Sequence, residues 1–296
     1  MKKTAIVTGG TSNQYPAMAV LALNIADKCP NIADELVIFY DDIPLEQQKL
    51  INSIFPTRFI KYESPFSHVD NFSEVIQNYF SPFLFCKYEC FRLLDEYQTV
   101  IWIDYDMVIT QDISELKEKN KADTKFISSK FLGQKFNDKV FWDQNCIEDI
   151  HNFDLLKPAI TCCIFVLFDS LKNFHQIYDE CIRLTPRYAA ALYLPEEAVL
   201  SVVLQQLNVE IDELDNAKYN TTPKEIEVNK GITSIIHSIG QPKFWNGLYN
   251  EQWESYYKKW LDMGGAKHIN RYTKIEKLLL RIKRKLKKMF GKKMLK

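Results

Sequence analysis

The run TVIWIDYDMVI (99–109) is the most constraining stretch of this chain, because an apolar segment this dense must be buried on both faces yet carries two aspartates. Side chains two apart share one face of a strand, so Asp104 and Asp106 point the same way. In a fully extended strand they lie about 6.7 Å apart. Two ligands of one small cation lie about 3 Å apart, given metal–oxygen distances near 2.1 Å. The chain must therefore bend at Asp104-Tyr105-Asp106, as a strand does where it leaves its sheet. The carboxyl ends of parallel strands are also where open α/β sheets place ligands.

The rest of the sequence supplies such a sheet. TAIVTGG (4–10) reads as a buried strand ending in a glycine turn, and residues 16–29 have helical apolar spacing with Pro16 near the first turn. ELVIFYDD (35–42) and RFIKYE (58–63) read as strands, and FLFCKYECFRLLDEY (83–97) as a helix leading into the acidic strand. AITCCIFVLFD (159–169) is a further strand, with helices over 171–183 and 195–207, a late strand at 232–240 and a helix at 250–261. Residues 110–157 are polar and give no clear pattern. The alternation predicts an α/β fold with a mainly parallel central sheet and flanking helices. One domain over 1–268 and a short appendix over 269–296 fit the pattern.

Paired carboxylates repel one another unless a cation neutralises them, and a diphosphate leaving group needs the complementary charge. A magnesium- or manganese-type ion satisfies both. The same tripeptide also fits an acidic turn capping a following helix, with Asp112 and Glu115 as further caps. His237, at the end of TSIIH and followed by SIGQPKFW (238–245), adds to the metal reading. Imidazole is a suitable third ligand, Gly240 permits close backbone approach to a phosphate, and Lys243 offers a compact positive charge.

Taken together these segments resemble glycosyltransferase family 8, whose bacterial members make lipooligosaccharide and which has glycogenin as a relative. The resemblance rests on IVTGGTSNQY (6–15), the segment 87–109, TCCIFVLFD (161–169), LPEEAVL (194–200) and HSIGQPKFW (237–245). It implies a GT-A, Rossmann-like fold and retaining transfer of a hexose from a nucleotide-sugar, UDP-galactose or UDP-glucose, to a glycan acceptor. By position it implies manganese or magnesium on Asp104, Asp106 and His237. It implies donor contacts from Thr8, Gly9, Asn13, Lys87, Asp104, Tyr105, Gly240 and Lys243, and reacting-centre roles for Glu196 and Glu197. Glu197 equally suits a helix-start acid beside Pro195. The chain departs from the family in three places. Its first loop, Thr11-Ser12-Asn13-Gln14, has no acid, Thr161-Cys162-Cys163 stands for an Asn-Ala-Gly run, and Phe244 stands for a proline.

The formal net charge of zero conceals an asymmetry. Residues 271–296 hold 12 Lys/Arg and one acid, leaving 26 basic and 37 acidic residues elsewhere. Ile275, Leu278, Leu279, Ile282, Leu286, Met289 and Phe290 recur at helical spacing in that tail, which predicts a basic amphipathic helix lying on an anionic membrane surface. A nucleic-acid patch or a solvated tail are the alternatives; no nucleic acid is expected, since phosphate binding does not need the apolar stripe. Seven cysteines without regular spacing suggest free thiols in a reducing compartment. No stretch reaches the roughly 18 apolar residues of a membrane span. These features predict a cytoplasmic protein held peripherally at the inner face of the membrane by a lipid-linked acceptor and its tail. A sugar nucleotidyltransferase is the rival enzyme reading, although TGGTSNQY lacks the basic residue that its loop needs. A membrane-recruited binding module is the non-enzymatic one.

Overall fold

The computed structural model describes residues 3–78, 80–119, 125–130, 153–154 and 156–270. The basic tail, and with it the expected amphipathic helix, lies outside the described residues. The amino-terminal half alternates strand and helix: β1 (Lys3–Gly10), α1 (Tyr15–Lys28), β2 (Glu35–Tyr40), α2 (Leu45–Ile54) and β3 (Thr57–Lys61). After α3 (Glu74–Asn78), the segment expected as one helix over 83–97 is broken. It runs as a 3-10 turn at Pro82–Tyr88, α4 (Glu89–Arg92) and a second 3-10 turn at Leu93–Asp95. Pro82 starts that segment with Ser81 accepting from the Phe83 amide, and the bulky Phe83, Phe85, Tyr88 and Phe91 are all buried, so packing sets its winding more than propensity does.

The acidic run is likewise two strands, β4 (Tyr97–Ile103) and β5 (Met107–Ile109), with the aspartates in the turn between them. Then follow α5 (Glu115–Glu118), β6 (Phe126–Lys130), β7 (Ile160–Phe168), α6 (Phe174–Tyr188), α7 (Pro195–Gln206), β8 (Asp212–Glu213), α8 (Asn216–Tyr219), β9 (Ile235–His237) and α9 (Glu251–Asp262).

Seven strands form one sheet in the order β3-β2-β1-β4-β7-β6-β8, and β5 pairs with β9 in a second. Strands β3, β2, β1 and β4 are mutually parallel, while β7 runs antiparallel to both β4 and β6. The expected mainly parallel sheet therefore holds, with β7 reversed. Alternate residues feed two cores. Ala5, Val7, Val100 and Trp102 face α4, α6 and α7, whereas Ile6, Ile101 and Ile103 face α1, α5 and α9. In β7 the alternation slips, because Cys163 and Ile164 lie in the same half while Ile160 and Cys162 share the other. The β6–β7 register shifts at the same place, as a β-bulge requires. Chain order reverses direction between β1 and β4, and the crevice above their carboxyl ends is where this architecture receives ligands.

Candidate active site

The backbone itself turns the acidic tripeptide into a site. The Asp104 amide makes a last ladder bond to the Cys163 carbonyl at 3.0 Å, and the Met107 amide closes a turn on the Asp104 carbonyl at 3.2 Å. The chain has then left the main sheet, and β5 pairs with β9 so that Met107 sits opposite His237. That register brings residue 237 across 130 positions of sequence to the aspartates. Both the amide and the hydroxyl of Ser238 donate to the Asp106 carbonyl, which fixes the turn against β9.

Asp104, Asp106 and His237 consequently converge, with one ligand atom from each lying within 4.8 Å of the others. His237 Nε2 lies 3.3 Å from Asp106 Oδ1, and its Nδ1 is 2.8 Å from Asn220 Oδ1. An amide oxygen accepts only, so Nδ1 carries hydrogen and Nε2 is the atom presented to the aspartates. Lys243 donates to Asp106 Oδ2 and, at 2.9 Å, to the Ser238 carbonyl. Gly240, at φ +68° and with open space where a Cβ would sit, lets the intervening loop fold back. Among the described residues this trio is the group of His, Cys, Asp and Glu that could hold a metal ion. Two carboxylates and an imidazole suit a hard or borderline divalent cation.

A second charge cluster adjoins the first. Lys87, from the 3-10 turn, donates to Glu196 Oε1 at 2.9 Å and lies 3.3 Å from Asp104 Oδ1. Trp102 Nε1 donates to the same Asp104 oxygen at 2.7 Å, and the Lys87 ammonium stands 5.5 Å from the Trp102 ring centre. Glu196 and Glu197 occupy the first turn of α7, where the helix dipole favours negative charge. Glu197 Oε1 accepts the Cys162 amide at 2.9 Å, which ties α7 to the bulged strand.

The electrostatics follow from burial and these pairings. Burial raises the Asp104 carboxyl, and Asp106 adds to that against the pull of Lys87. Burial acts upward on Asp106 too, but Lys243 and His237 outweigh it and hold that carboxyl below its ordinary range. His237 is opposed by burial and raised by Asp106 to about 10. Glu197 is pushed up to about 8, first by burial and then by the neighbouring Glu196 charge. Lys87 is raised despite its burial, because Asp104 and Glu196 face it.

These groups line one cavity of about 690 Å³. Of the residues expected to contact a donor, Gly9, Lys87, Asp104, Tyr105, Gly240 and Lys243 line it, together with Asp106, His237, Glu196 and Glu197. Thr8 and Asn13 do not. Thr8 is sealed within β1, and Asn13 is exposed on the 3-10 turn at Ser12–Gln14 while its neighbours Thr11 and Gln14 reach the cavity. Trp102 and Asn220 also reach the lining and were not singled out. Trp102 was findable, since W-x-D on a strand puts indole and carboxylate on one face. Asn220 is the C-cap of the short helix α8, and no local pattern ties it to His237.

Residues 5–248 match glycosyl transferase family 8. The chain belongs to that family. It is a glycosyltransferase with the GT-A fold, which decides against the nucleotidyltransferase and the non-enzymatic module. Among solved structures it is similar to the galactosyltransferase LgtC, described in complex with donor and acceptor sugar analogues, at 11% identity and TM-score 0.66. That match covers 88% of this chain and 99% of LgtC. It is similar also to the bifunctional glycosyltransferase WbbM, at 12% identity and TM-score 0.63, covering 89% of this chain and 51% of WbbM. The glycosyltransferase GlyE of Streptococcus pneumoniae is similar at 14% identity and TM-score 0.54, covering 90% of this chain and 66% of GlyE. At such identities these likenesses speak to the fold. No curated protein sequence matches the chain. No described helix is long and apolar enough to cross a membrane.

Proposed function

We propose that this glycosyltransferase moves a hexose, with retention, from UDP-galactose or UDP-glucose to a glycan acceptor of bacterial surface polysaccharide or lipooligosaccharide. The observation that carries the reading is the convergence on Asp106: the second ligand of the acidic turn, the imidazole of His237 and the ammonium of Lys243 meet at one carboxylate. Asp104, Asp106 and His237 would hold manganese or magnesium, which when bound supplies Lewis-acid stabilisation of the departing diphosphate. Asn220 keeps the His237 ring turned so that Nε2 faces the ion, and Ser238 holds the turn that carries Asp106. Lys243 shifts from Asp106 to the diphosphate, adding positive charge where leaving-group charge develops.

Gly9, Tyr105 and Gly240 let the donor approach the backbone of the first loop, the acidic turn and the 238–242 loop. A lysine has three N–H donors; Lys87 gives one to Glu196 and is ion-paired with Asp104, so N–H groups remain for the donor sugar. Glu196 positions that ammonium. Glu197, anchored by the Cys162 amide beside the cavity, stabilises the positive sugar or attacks it transiently. Thr8 and Asn13 act only through the loop that they flank. The domain over 1–268 carries this chemistry, and the basic residues 271–296 hold it to the anionic inner face of the membrane, near a lipid-linked acceptor.

Release of UDP from UDP-galactose and UDP-glucose, with and without manganese and acceptor, tests the reading. Asp106→Asn should lose manganese-dependent turnover by about a hundredfold or more while still folding, with a lowered melting temperature because Lys243 and His237 lose their buried counter-charge. Wild-type turnover in that variant would sink the metal assignment. If protein truncated after residue 270 floats with anionic liposomes as the full chain does, the tail is not the anchor.

A further inference from the structure

Beyond the last residue matched to the family, the chain returns to the cavity, and its route is built into the sequence. Helix α9 ends in Met263-Gly264-Gly265. Gly264 adopts φ +91°, and the Gly264 and Gly265 amides donate to the Leu261 and Trp260 carbonyls at 3.0 and 2.9 Å. That pair of bonds is a Schellman stop, which reverses the chain direction at a left-handed glycine. Gly265 then lies flat on Trp260, and a Cβ there would fall 2.1 Å from the indole. Trp260 Nε1 donates to the Ala266 carbonyl at 2.8 Å, and the Ala266 amide donates to Gln47 of α2 at 2.9 Å. The segment is thus a strap fastened to the domain at both of its edges.

The strap delivers His268, which is 2% exposed, to the side of the cavity. Its ring stacks on Trp245 at 4.9 Å and 17°, and Trp245 in turn meets Tyr105 of the acidic turn at 5.8 Å. His268 Nδ1 accepts the Asn270 amide at 3.2 Å, so Nε2 carries the hydrogen and donates to Gln14 Oε1 at 3.1 Å. Gln14 stands at the N-cap position of α1, shortly after the glycines that end β1. One imidazole therefore joins the first loop, the loop after Lys243 and the acidic turn, while Gln14, Trp245 and Asn270 line the cavity.

We propose that the strap over 264–270 backs the donor site, reaching its lining at Asn270, and that His268 is a positioning residue for nucleotide binding. This rests on the reading of the cavity as a nucleoside-diphosphate-sugar site. His268 holds Gln14 and Trp245 in the places that the nucleotide meets, so the free protein is already shaped for the donor and less ordering is left to binding. Removing the imidazole should weaken binding without slowing the chemical step at saturation.

The test is titration of the full-length protein with UDP in the presence of manganese, alongside steady-state donor kinetics and thermal melting. His268→Ala should bind UDP about tenfold more weakly than wild type, with KM raised in proportion and kcat within twofold. His268→Phe, which keeps a ring on Trp245 and loses the bond to Gln14, should fall between the two. Wild-type affinity in both variants overturns the proposal, and so does an affinity loss that disappears at low temperature where the variant is fully folded. If His268→Ala does not fold, His268→Phe decides alone, and wild-type affinity there is the refuting result. Failure of the wild-type protein to bind UDP, with or without manganese, removes the donor reading and the strap's role together. Binding by wild type and variants alike removes only the strap's role.

Discussion

Replacing Glu197 with glutamine separates charge from shape at the reacting end of the cavity. The side chain keeps its size, and its carbonyl oxygen still accepts the Cys162 amide that joins α7 to β7. The fold should therefore be preserved. Glu197 is held at about 8 by burial and by Glu196, against about 4.5 for an ordinary glutamate. Between those values the folded state binds more protons than the unfolded chain, so this carboxyl's contribution to stability is complete below pH 4.5 and is lost as pH rises through 8. At about 1.4 kcal/mol per unit the loss is on the order of a few kcal/mol, and about 1 kcal/mol moves the melting temperature of a domain this size by 2–4 °C. Glutamine cannot ionise and escapes that loss. Melting temperatures of the two proteins should coincide near pH 4.5, separate progressively up to about pH 8 and stay apart above it, with Glu197→Gln the higher, and the difference cancels every group common to both. Turnover should move the other way. A carboxylate that stabilises or attacks the sugar is worth roughly 10²- to 10⁴-fold, so UDP release should fall by at least a hundredfold. The wild-type kcat/KM should also climb with pH through about 8 as Glu197 ionises. Full turnover in Glu197→Gln would refute the catalytic role and leave the helix-start acid. Melting temperatures that stay together from pH 4.5 to pH 9 would refute the buried-carboxyl argument itself.

Other perturbations probe the neighbouring groups. Lys87→Met leaves Asp104 and Glu196 facing each other in a buried site, which should cost about 3–5 kcal/mol measured by urea unfolding; a cost under 1 kcal/mol would mean that the ammonium does not hold the pair together. Gly9→Val forces side-chain atoms onto Cys86 Sγ, 2.9 Å from the first added carbon, and onto Phe39. It should destabilise the domain by about 1–3 kcal/mol and raise KM for the donor, and unchanged melting would show that the loop yields freely. Asn220→Leu removes the bond that orients His237, and manganese affinity measured by titration should fall about 10- to 100-fold; unaltered affinity would show that the ring needs no such support.

How much of this could be read from the sequence depended on whether the cause was local. The strand character of 4–10, 35–42 and 159–169 follows from unbroken apolar runs, and the structure keeps each to within two residues at either end. The bend at Asp104–Asp106 was required by the reach of two carboxylates to one cation, and a turn does replace the continuous strand there. The helix expected over 83–97 winds as 3-10, α and 3-10 turns over Pro82–Asp95, because Phe83, Phe85, Tyr88 and Phe91 all enter one core, which α-periodicity does not report. The reversal of β7 was equally hidden, since an all-apolar strand has the same composition in either direction.

The site divides along the same line. His237, Gly240 and Lys243 were legible because they lie within seven residues of one another and carry metal- and phosphate-binding chemistry in order. The pairings were not: Asn220 reaches His237 from the C-cap of α8, and Glu196 meets Lys87 across 109 residues. Thr8 and Asn13 stand outside the cavity lining, since a motif includes residues that frame a loop as well as those that face the cavity. What brings the legible half onto Asp106 is the pairing of Met107 with His237, a register between a three-residue strand and another three-residue strand. A slip of one residue would turn the imidazole to the opposite face. The bonds from Ser238 to the Asp106 carbonyl therefore matter as much to the convergence of Asp104, Asp106 and His237 as those side chains do, because they fix that register where two such short strands leave it weakly determined.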